Sequence, residues 1–292
     1  MKPETQARNN LIGIGLMIAA MGAFAVEDGI IKILSGGLPT GQILILIGIG
    51  GTFVFTAWAL AKGDSFERSK VLHPAVVIRT LAELVGTCGF VASLALADIS
   101  VISAIVQVNP LIVTLGAALF LGEYVGPRRW AAIFIGMIGV LIILRPGSAE
   151  FDPAYLLTLL GVIGLSVRDV ATRRVPRDIS TQVMAAIGFG AVIPAGLILM
   201  AFGQTWTEMD VWEMATIPVA VIIGVVAYVC IITATRIGEI SAVTPFRYSR
   251  LIFGAMVGII MFGETIDTWT IVGSGIIVAS GLYAFWREAQ SR

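Results

Sequence analysis

Long apolar runs alternate with short polar segments along nearly the whole chain of 292 residues. Each run is about 17 to 25 residues long, which is the length that an α-helix needs to cross the ~30 Å hydrocarbon core of a bilayer. The pattern predicts ten transmembrane helices, at residues 11–34, 40–61, 75–96, 99–121, 129–145, 154–173, 180–203, 215–236, 240–262 and 268–286.

The segments between these runs are short and contain helix breakers such as Gly36-Gly37 and Pro146-Gly147, so they leave no room for a soluble domain. Apolar residues make up 57% of the chain and charged residues only 13%, a composition far from that of a soluble protein. We therefore predict an all-α integral membrane protein.

The chain also resembles itself at an offset of 141 residues. Val26-Glu27-Asp28 recurs as Val167-Arg168-Asp169, Lys32 recurs as Arg173, and Leu121-Gly122-Glu123 recurs as Phe262-Gly263-Glu264. The offset predicts two copies of one unit, at residues 1–146 and 147–292, each with five of the ten helices.

The distribution of lysine and arginine predicts the orientation, because cytoplasmic loops are enriched in positive charge. With the N-terminus inside, the inner segments hold thirteen such residues and the outer loops hold Arg145 alone. The thirteen are Lys2, Arg8, Lys62, Arg68, Lys70, Arg128, Arg129, Arg173, Arg174, Arg177, Arg236, Arg287 and Arg292. We expect both termini in the cytoplasm and the protein in the cell inner (plasma) membrane.

Five crossings per unit mean that the second unit enters the membrane from the opposite side, so the two repeats must be inverted. Inverted repeats around a central site provide two nearly equivalent gates, which is the architecture that alternating access requires. The duplication therefore favours a transporter over a receptor or a membrane enzyme.

Two further segments carry a family resemblance. The first runs from Ser103-Ala104-Ile105-Val106-Gln107-Val108-Asn109-Pro110 through Leu121-Gly122-Glu123 to Gly136-Met137-Ile138-Gly139-Val140, and the second from Ser241-Ala242-Val243-Thr244-Pro245 through Phe262-Gly263-Glu264 to residues 273–281. They resemble the half-unit of EamA-type transporters in the drug/metabolite transporter superfamily. The resemblance implies a ten-helix fold with a central cavity, as in bacterial exporters of amino acids and related metabolites. It also implies that Glu123 and Glu264 are structural residues at helix ends.

Ionisable residues within the predicted helices are the candidates for function, because a charge at the centre of a membrane helix costs roughly 2.5 to 3.5 kcal/mol. Polar residues that share their faces add to the set. The candidate substrate-binding residues are Arg79, Glu83, Ser103, Gln107, Tyr228, Arg247, Tyr248 and Arg250, and the candidate coupling or gating residues are Glu27, Asp28, Arg168 and Asp169.

Arg79 and Glu83 are four residues apart and share one helical face. They either meet a zwitterionic or charged solute or form an ion pair that locks helices together. Arg247 and Arg250 lie on the face of the ninth helix that also carries Gly254, and a guanidinium suits a carboxylate or phosphate. The alternative is that either arginine pairs with Glu83 or Asp28.

Asp28 with Lys32, and Asp169 with Arg173, have the four-residue spacing of intrahelical ion pairs and are related by the 141-residue offset. That symmetry favours an architectural role. Ser103 and Gln107 belong to a polar stripe from which Asn109 points away.

The chain has one histidine and two cysteines, Cys88 and Cys230, so we expect no metal site, no disulfide and no cofactor. The net charge of zero gives no reason to expect nucleic acid as a partner. The expected partners are a small-molecule substrate and membrane lipids, and the expected oligomeric state is a monomer.

The sequence as a whole predicts a transporter of an amino acid or related carboxylate that works by alternating access, and the resemblance implies that its direction is export. An exporter of organic cations or drugs with the same fold is the alternative, and a membrane enzyme or assembly factor is a remote one. Proton coupling and facilitated diffusion are equally compatible with the sequence.

Overall fold

The computed structural model describes residues 3–149, 151–176, 178–237 and 239–291. Lys2, Arg177 and Arg292, which enter the orientation argument above, lie outside this part of the chain. Within it, ten helices are long and apolar enough to cross a membrane. They are α1 (Pro3–Leu34), α2 (Thr40–Ala61), α3 (Pro74–Leu96), α4 (Ile99–Phe120), α5 (Pro127–Leu144), α6 (Ala154–Thr172), α7 (Thr181–Ala201), α8 (Val211–Ile237), α9 (Thr244–Phe262) and α10 (Thr268–Ser291).

The ten helices match the ten apolar runs of the sequence, and only two short helices, Arg68–Val71 and Ile240–Val243, are added to them in the described ranges. The boundaries follow local chemistry. Pro74 and Pro127 begin helices, where the missing N–H costs nothing. The side chain of Ser180 accepts a hydrogen bond from the N–H of Val183 and so caps the start of α7.

α4 and α9 end in the same way, with a glycine in the left-handed region followed by a glutamate. Gly122 has a φ of +68° and Gly263 a φ of +65°. The next N–H, of Glu123 or Glu264, donates to a carbonyl six residues back, at 3.2 Å and 3.0 Å respectively. Each glycine therefore caps the C-terminal end of its helix, and only glycine adopts these backbone angles without strain.

α4 and α9 are also the two interrupted helices. α4 consists of Ile99–Val106 and Asn109–Phe120, and α9 consists of a 3₁₀ turn, Thr244–Tyr248, followed by Ser249–Phe262. Pro110 and Pro245 lie at these interruptions. Each interrupts its helix because proline has no backbone N–H to donate.

Three helices pack on their own counterparts at the offset of 141 residues. Two further contacts are also counterparts of each other, because the offset converts one into the other. α2 contacts α7, α4 contacts α9 and α5 contacts α10, while α1 packs on α8 and α3 on α6. The outer surface carries large exposed apolar side chains such as Phe53 and Ile260, as a lipid-facing surface requires.

α3 and α6 approach so closely that only glycine fits between them. A Cβ atom built on Gly164 would lie 2.5 Å from the backbone nitrogen of Gly86, and one built on Gly89 would lie 2.7 Å from that of Gly161. Small residues that allow backbones to approach are the usual means of helix packing in membranes. The contact fixes α3 and α6 as one rigid pair.

We expect Gly164→Ala to destabilise the protein by about 1–3 kcal/mol, because the added methyl group overlaps the backbone of α3. The matched control is Gly15→Ala on α1, where an added Cβ atom meets nothing within 4 Å. The measurement is the thermal unfolding midpoint of each variant in detergent. Equal midpoints for the two variants would contradict the close contact.

Candidate functional site

A network of charged side chains joins α3 and α6, and Glu83 is its centre. One carboxylate oxygen of Glu83 lies 2.8 Å from Nη1 of Arg168, and the other lies 3.5 Å from Nη2 of Arg79. Arg168 also contacts its neighbour Asp169, with Nη2 2.7 Å from Oδ1. Arg79 is only 4% exposed, whereas the side chains of Arg168 and Asp169 keep 24% exposure. The network therefore has one buried arm and one accessible arm.

Two polar residues on neighbouring helices extend the network. Asn109, the first residue after the break in α4, donates to Asp169 at 3.5 Å. Ser166 donates to the side-chain oxygen of Asn109 at 2.6 Å. The break in α4 changes the helical phase, which is why Asn109 faces the network although an unbroken helix would turn it away.

Arg79 and Arg247 are among the arginines with buried N–H groups that have no acceptor among the described residues. Nε and Nη1 of Arg79, and Nε of Arg247, are buried and have no hydrogen-bond partner. Arg247 lies within electrostatic reach of Asp169 but forms no ion pair with a described residue. A buried guanidinium with free donors can bind an anionic group through two parallel hydrogen bonds.

A second charged cluster joins α1 and α9. Nη2 of Arg250 lies 2.6 Å from Oδ2 of Asp28, and the guanidinium lies 5.4 Å from the ring centres of both Phe24 and Phe90. Glu27, next to Asp28, is 8% exposed and has no hydrogen bond or ion pair with any described residue. This cluster confirms the alternative in which Arg250 pairs with Asp28.

Gly224 on α8 leaves the space that the carboxylate of Glu27 occupies, since a Cβ atom there would overlap it. One turn further along α8, Tyr228 lies in an aromatic cluster with Phe55 and Phe189, at ring-centre distances of 5.4 Å and 6.1 Å. Gly188, next to Phe189, faces Arg79 and Glu83. The aromatic cluster thus borders the charged network.

Ser103, Gln107 and Tyr248 lie at the contact between α4 and α9. The amide of Gln107 donates to the backbone oxygen of Tyr248 at 3.2 Å, and Ser103 faces Gly254. The hydroxyl of Tyr248 is buried and has no hydrogen-bond partner among the described residues, and it lies beside a cavity of about 30 Å³ that is large enough for one water molecule.

The predicted intrahelical ion pairs, Asp28 with Lys32 and Asp169 with Arg173, are wrong. Asp28 and Asp169 bind arginines as described above, while Lys32 binds Glu264 at 3.0 Å and Arg173 binds Glu123 at 2.7 Å. Each base therefore reaches an acid in the other repeat. Contacts between helices are available in a bundle, and they displace the weak four-residue pairs that stabilise an isolated helix.

Glu264 has a dense set of donors. Its carboxylate accepts from Lys32 at 3.0 Å, from the backbone N–H groups of Ile99 and Ser100 at 2.9 Å each, and from the hydroxyl of Ser100 at 2.7 Å. Burial raises the pKa of this carboxyl, but the hydrogen bonds from Ser100, Lys32 and Ile99 together hold the pKa below its ordinary value.

Sequence reasoning missed Asn109, Ser166 and the aromatic cluster. The signal for Asn109 was Pro110, because a proline inside a span breaks the helix and resets the faces on either side of it. Within the described residues, no group of three or more His, Cys, Asp or Glu side chains converges in a way that could hold a metal ion.

Ten apolar helices around buried ion pairs with free guanidinium donors define a multi-pass membrane transporter. The EamA-like transporter family matches residues 11–145 and 152–286, so that the chain belongs to this family of the drug/metabolite transporter superfamily. A crystal structure with 20% sequence identity covers 98% of this chain and 99% of its own, at a TM-score of 0.63, and has the same fold.

Several named transporters are similar to the chain over much of its length. The S-adenosylmethionine uptake transporter of Rickettsia bellii is 22% identical and covers 96% of this chain and 95% of its own length. The riboflavin transporter of Rhizobium johnstonii is 28% identical, with 72% and 69% covered. The pseudopaline exporter of Pseudomonas aeruginosa is 26% identical, with 92% and 94% covered. These names indicate transporters of small metabolites, not enzymes.

Acidification should test the site of Glu264. A carboxyl whose pKa is lowered on folding adds stability above its unfolded-state pKa, and this stability is lost as the pH falls through the folded-state pKa. We expect the thermal midpoint to fall from about pH 5 downward, and to fall less steeply in Glu264→Gln. The control is Glu208→Gln, an exposed acid, which should retain the parent slope; parallel curves for all three proteins would contradict the assignment.

Proposed function

We propose that this protein exports an amino acid or a related carboxylate across the cell inner membrane by alternating access. The observation that carries the proposal is Arg79, which is 4% exposed and keeps two donor nitrogens without a partner. A buried donor without an acceptor costs about 1–3 kcal/mol. A substrate carboxylate that enters the site removes this cost.

The sign of the local charge supports an anionic group at this end of the site. The network contains three arginines, Arg79, Arg168 and Arg247, against two carboxylates, Glu83 and Asp169, which leaves an excess of one positive charge. A carboxylate bound between Arg79 and Arg247 neutralises that excess and accepts the free N–H groups.

The second cluster has the opposite excess when Glu27 is ionised. Glu27 and Asp28 face a single cation, Arg250, and Asp28 already binds it. Phe90, which borders this cluster, is seven residues after Glu83 on α3, or about 10 Å along the helix. A substrate with a carboxylate and a distant ammonium group matches the two clusters.

Glu27, Asp28, Arg168 and Asp169 are the groups through which coupling or gating runs in this proposal. Glu27, unpaired and buried, is the residue best suited to exchange a proton with a cationic substrate group. Facilitated diffusion needs no such exchange, and a pH gradient across the vesicle membrane separates the two modes.

We further propose that residues 1–146 and 147–292 are inverted repeats with both termini in the cytoplasm. The symmetric helix contacts support this, as does the hydrogen bond between Gln107 and Tyr248, which are themselves related by the offset of 141. The excess of lysine and arginine in alternate loops supports the orientation. Export is the direction of the pseudopaline exporter, while the S-adenosylmethionine relative is named for uptake.

An exporter of organic cations would need an acid inside an aromatic cage. The rings of Phe24 and Phe90 border this cluster and are already occupied by the guanidinium of Arg250. A cationic substrate would have to displace that arginine from Asp28, which favours the carboxylate.

Counterflow in proteoliposomes tests the proposal, with labelled amino acids, organic acids and organic cations loaded in turn. We expect carboxylates to exchange, and we expect Arg79→Lys and Arg247→Ala to slow exchange at least about tenfold, because each removes hydrogen bonds to a charged group. Glu83→Gln should also slow it, because Arg168 loses its partner.

Lys62→Ala is the control, since Lys62 is an exposed cation after the end of α2. It should exchange at the parent rate. Exchange of cations alone would contradict the carboxylate assignment and favour the alternative class, whereas parent rates in both arginine variants would contradict the site.

A further inference from the structure

Two ion pairs each join a base in one repeat to an acid in the other repeat. Lys32 in the first repeat binds Glu264 in the second, and Arg173 in the second repeat binds Glu123 in the first. An offset of 141 converts Lys32 into Arg173 and Glu123 into Glu264, so that each pair is the symmetric counterpart of the other. Both glutamates directly follow the glycine C-caps that end α4 and α9.

The two pairs lie at opposite ends of α4. Glu264 binds the first N–H groups of that helix, at Ile99 and Ser100. Glu123 follows its last turn, where Arg174 also donates to the carbonyl of Phe120 at 2.6 Å. The 22 residues between these ends span about 30 Å, the thickness of the hydrocarbon core.

The pairs differ sharply in burial. The side chain of Glu264 is 5% exposed and that of Lys32 is 18%, and Lys32 donates a second hydrogen bond to the carbonyl of Ala97 at 2.7 Å. The side chains of Glu123 and Arg173 are 45% and 46% exposed. One end of the bundle is therefore held by a buried network and the other by an exposed contact.

The interface between α4 and α9 is tightly packed next to Glu264. A Cβ atom on Gly258 would overlap the hydroxyl of Ser100, and one on Gly254 would overlap the side chain of Ser103. Three levels of contact thus seal this end: Glu264 with the start of α4, then Ser100 with Gly258, then Ser103 with Gly254.

We propose that the two glutamates act as alternating latches: in this structure Glu264 is bound at the start of α4, whereas Glu123 pairs with Arg173 but accepts no hydrogen bond from a described helix start. The proposal rests on the transport function above. In the opposite state Glu264 leaves the start of α4. Glu123 then binds the equivalent backbone N–H groups in the second repeat. By the offset of 141 these groups belong to Ile240 and Ser241, the counterparts of Ile99 and Ser100.

Accessibility of a single cysteine tests the latches without any substrate. The reporter is Ser103→Cys in a chain that also carries Cys88→Ala and Cys230→Ala, labelled by a membrane-impermeant maleimide from the side that holds Glu264. Glu264→Gln should raise the initial labelling rate at least about tenfold, because loss of one member of a buried ion pair is strongly destabilising. Lys32→Gln should shift the rate in the same direction.

Asp98→Asn is the matched control. Asp98 is an exposed acid next to Ile99 whose side chain forms no hydrogen bond or ion pair with a described residue, so its replacement removes the same charge at the same end. Its labelling rate should stay within about twofold of the parent. If Glu264→Gln is not monodisperse in gel filtration, Lys32→Gln serves as the test variant.

The double variant Glu264→Gln, Glu123→Gln distinguishes two explanations for faster labelling. One is a shift between alternating states, and the other is local loosening around residue 264. If Glu123 holds the opposite state, its removal should lower the labelling rate of Glu264→Gln at least about threefold. A rate in the folded Glu264 and Lys32 variants within twofold of the parent would overturn the closed latch, and a double variant labelled as fast as Glu264→Gln would overturn the alternation.

These outcomes are distinct from those of the counterflow assay. If labelling follows the expected pattern but the protein exchanges no carboxylate, the latch proposal stands and the proposed substrate is wrong. If counterflow is normal but labelling is unchanged in the variants, the proposed substrate stands and the latch proposal is wrong.

Discussion

The ion pair between Glu83 and Arg168 is the interaction on which the centre of this protein depends. A charge within a membrane helix is tolerated only beside a partner or a water-filled space, so these side chains dictate which helices can be neighbours. The glycines of α3 and α6 bring the two backbones close enough for the pair to form at 2.8 Å. Close packing and charge neutralisation thus require the same arrangement. The 24% of the Arg168 side chain that remains exposed supports the binding site proposed there.

Duplication explains the framework of the bundle, and departures from duplication explain its chemistry. Glu27 and Arg168 occupy equivalent positions in the two repeats but carry opposite charges. Each is followed by an aspartate, Asp28 or Asp169, that binds an arginine. The equivalent positions therefore produce one cluster with an excess of positive charge and one that has an excess of negative charge when Glu27 is ionised. This single difference breaks the symmetry between the two clusters.

The apolar pattern was sufficient to predict all ten helices, because the width of the bilayer fixes their length, although α1 begins eight residues and α10 ends five residues beyond the predicted bounds. It could not predict which acid binds which base, since that depends on contacts between helices. Asp28 binds Arg250, more than 200 residues away, and not Lys32 one turn further along the same helix. The offset of 141 did contain the answer for Lys32 and Glu264, because it relates both members of that pair to Arg173 and Glu123. A repeated base and a repeated acid that have no partner within their own repeat indicate a contact between repeats.

The repeated Gly-Glu motif also limits how different the two ends of the bundle can be. The same C-cap, formed by Gly122 or Gly263, places a carboxylate at each end, so the two closed states are built from nearly the same local interactions. Two states of nearly equal free energy are what a transporter requires, because a difference of 1.4 kcal/mol already favours one state by about tenfold. What remains to set the preference is the burial of each pair, the choice of lysine or arginine as its cation, and the unequal packing of the helices behind it. In this protein the buried Lys32 and Glu264 pair decides which end is closed at rest.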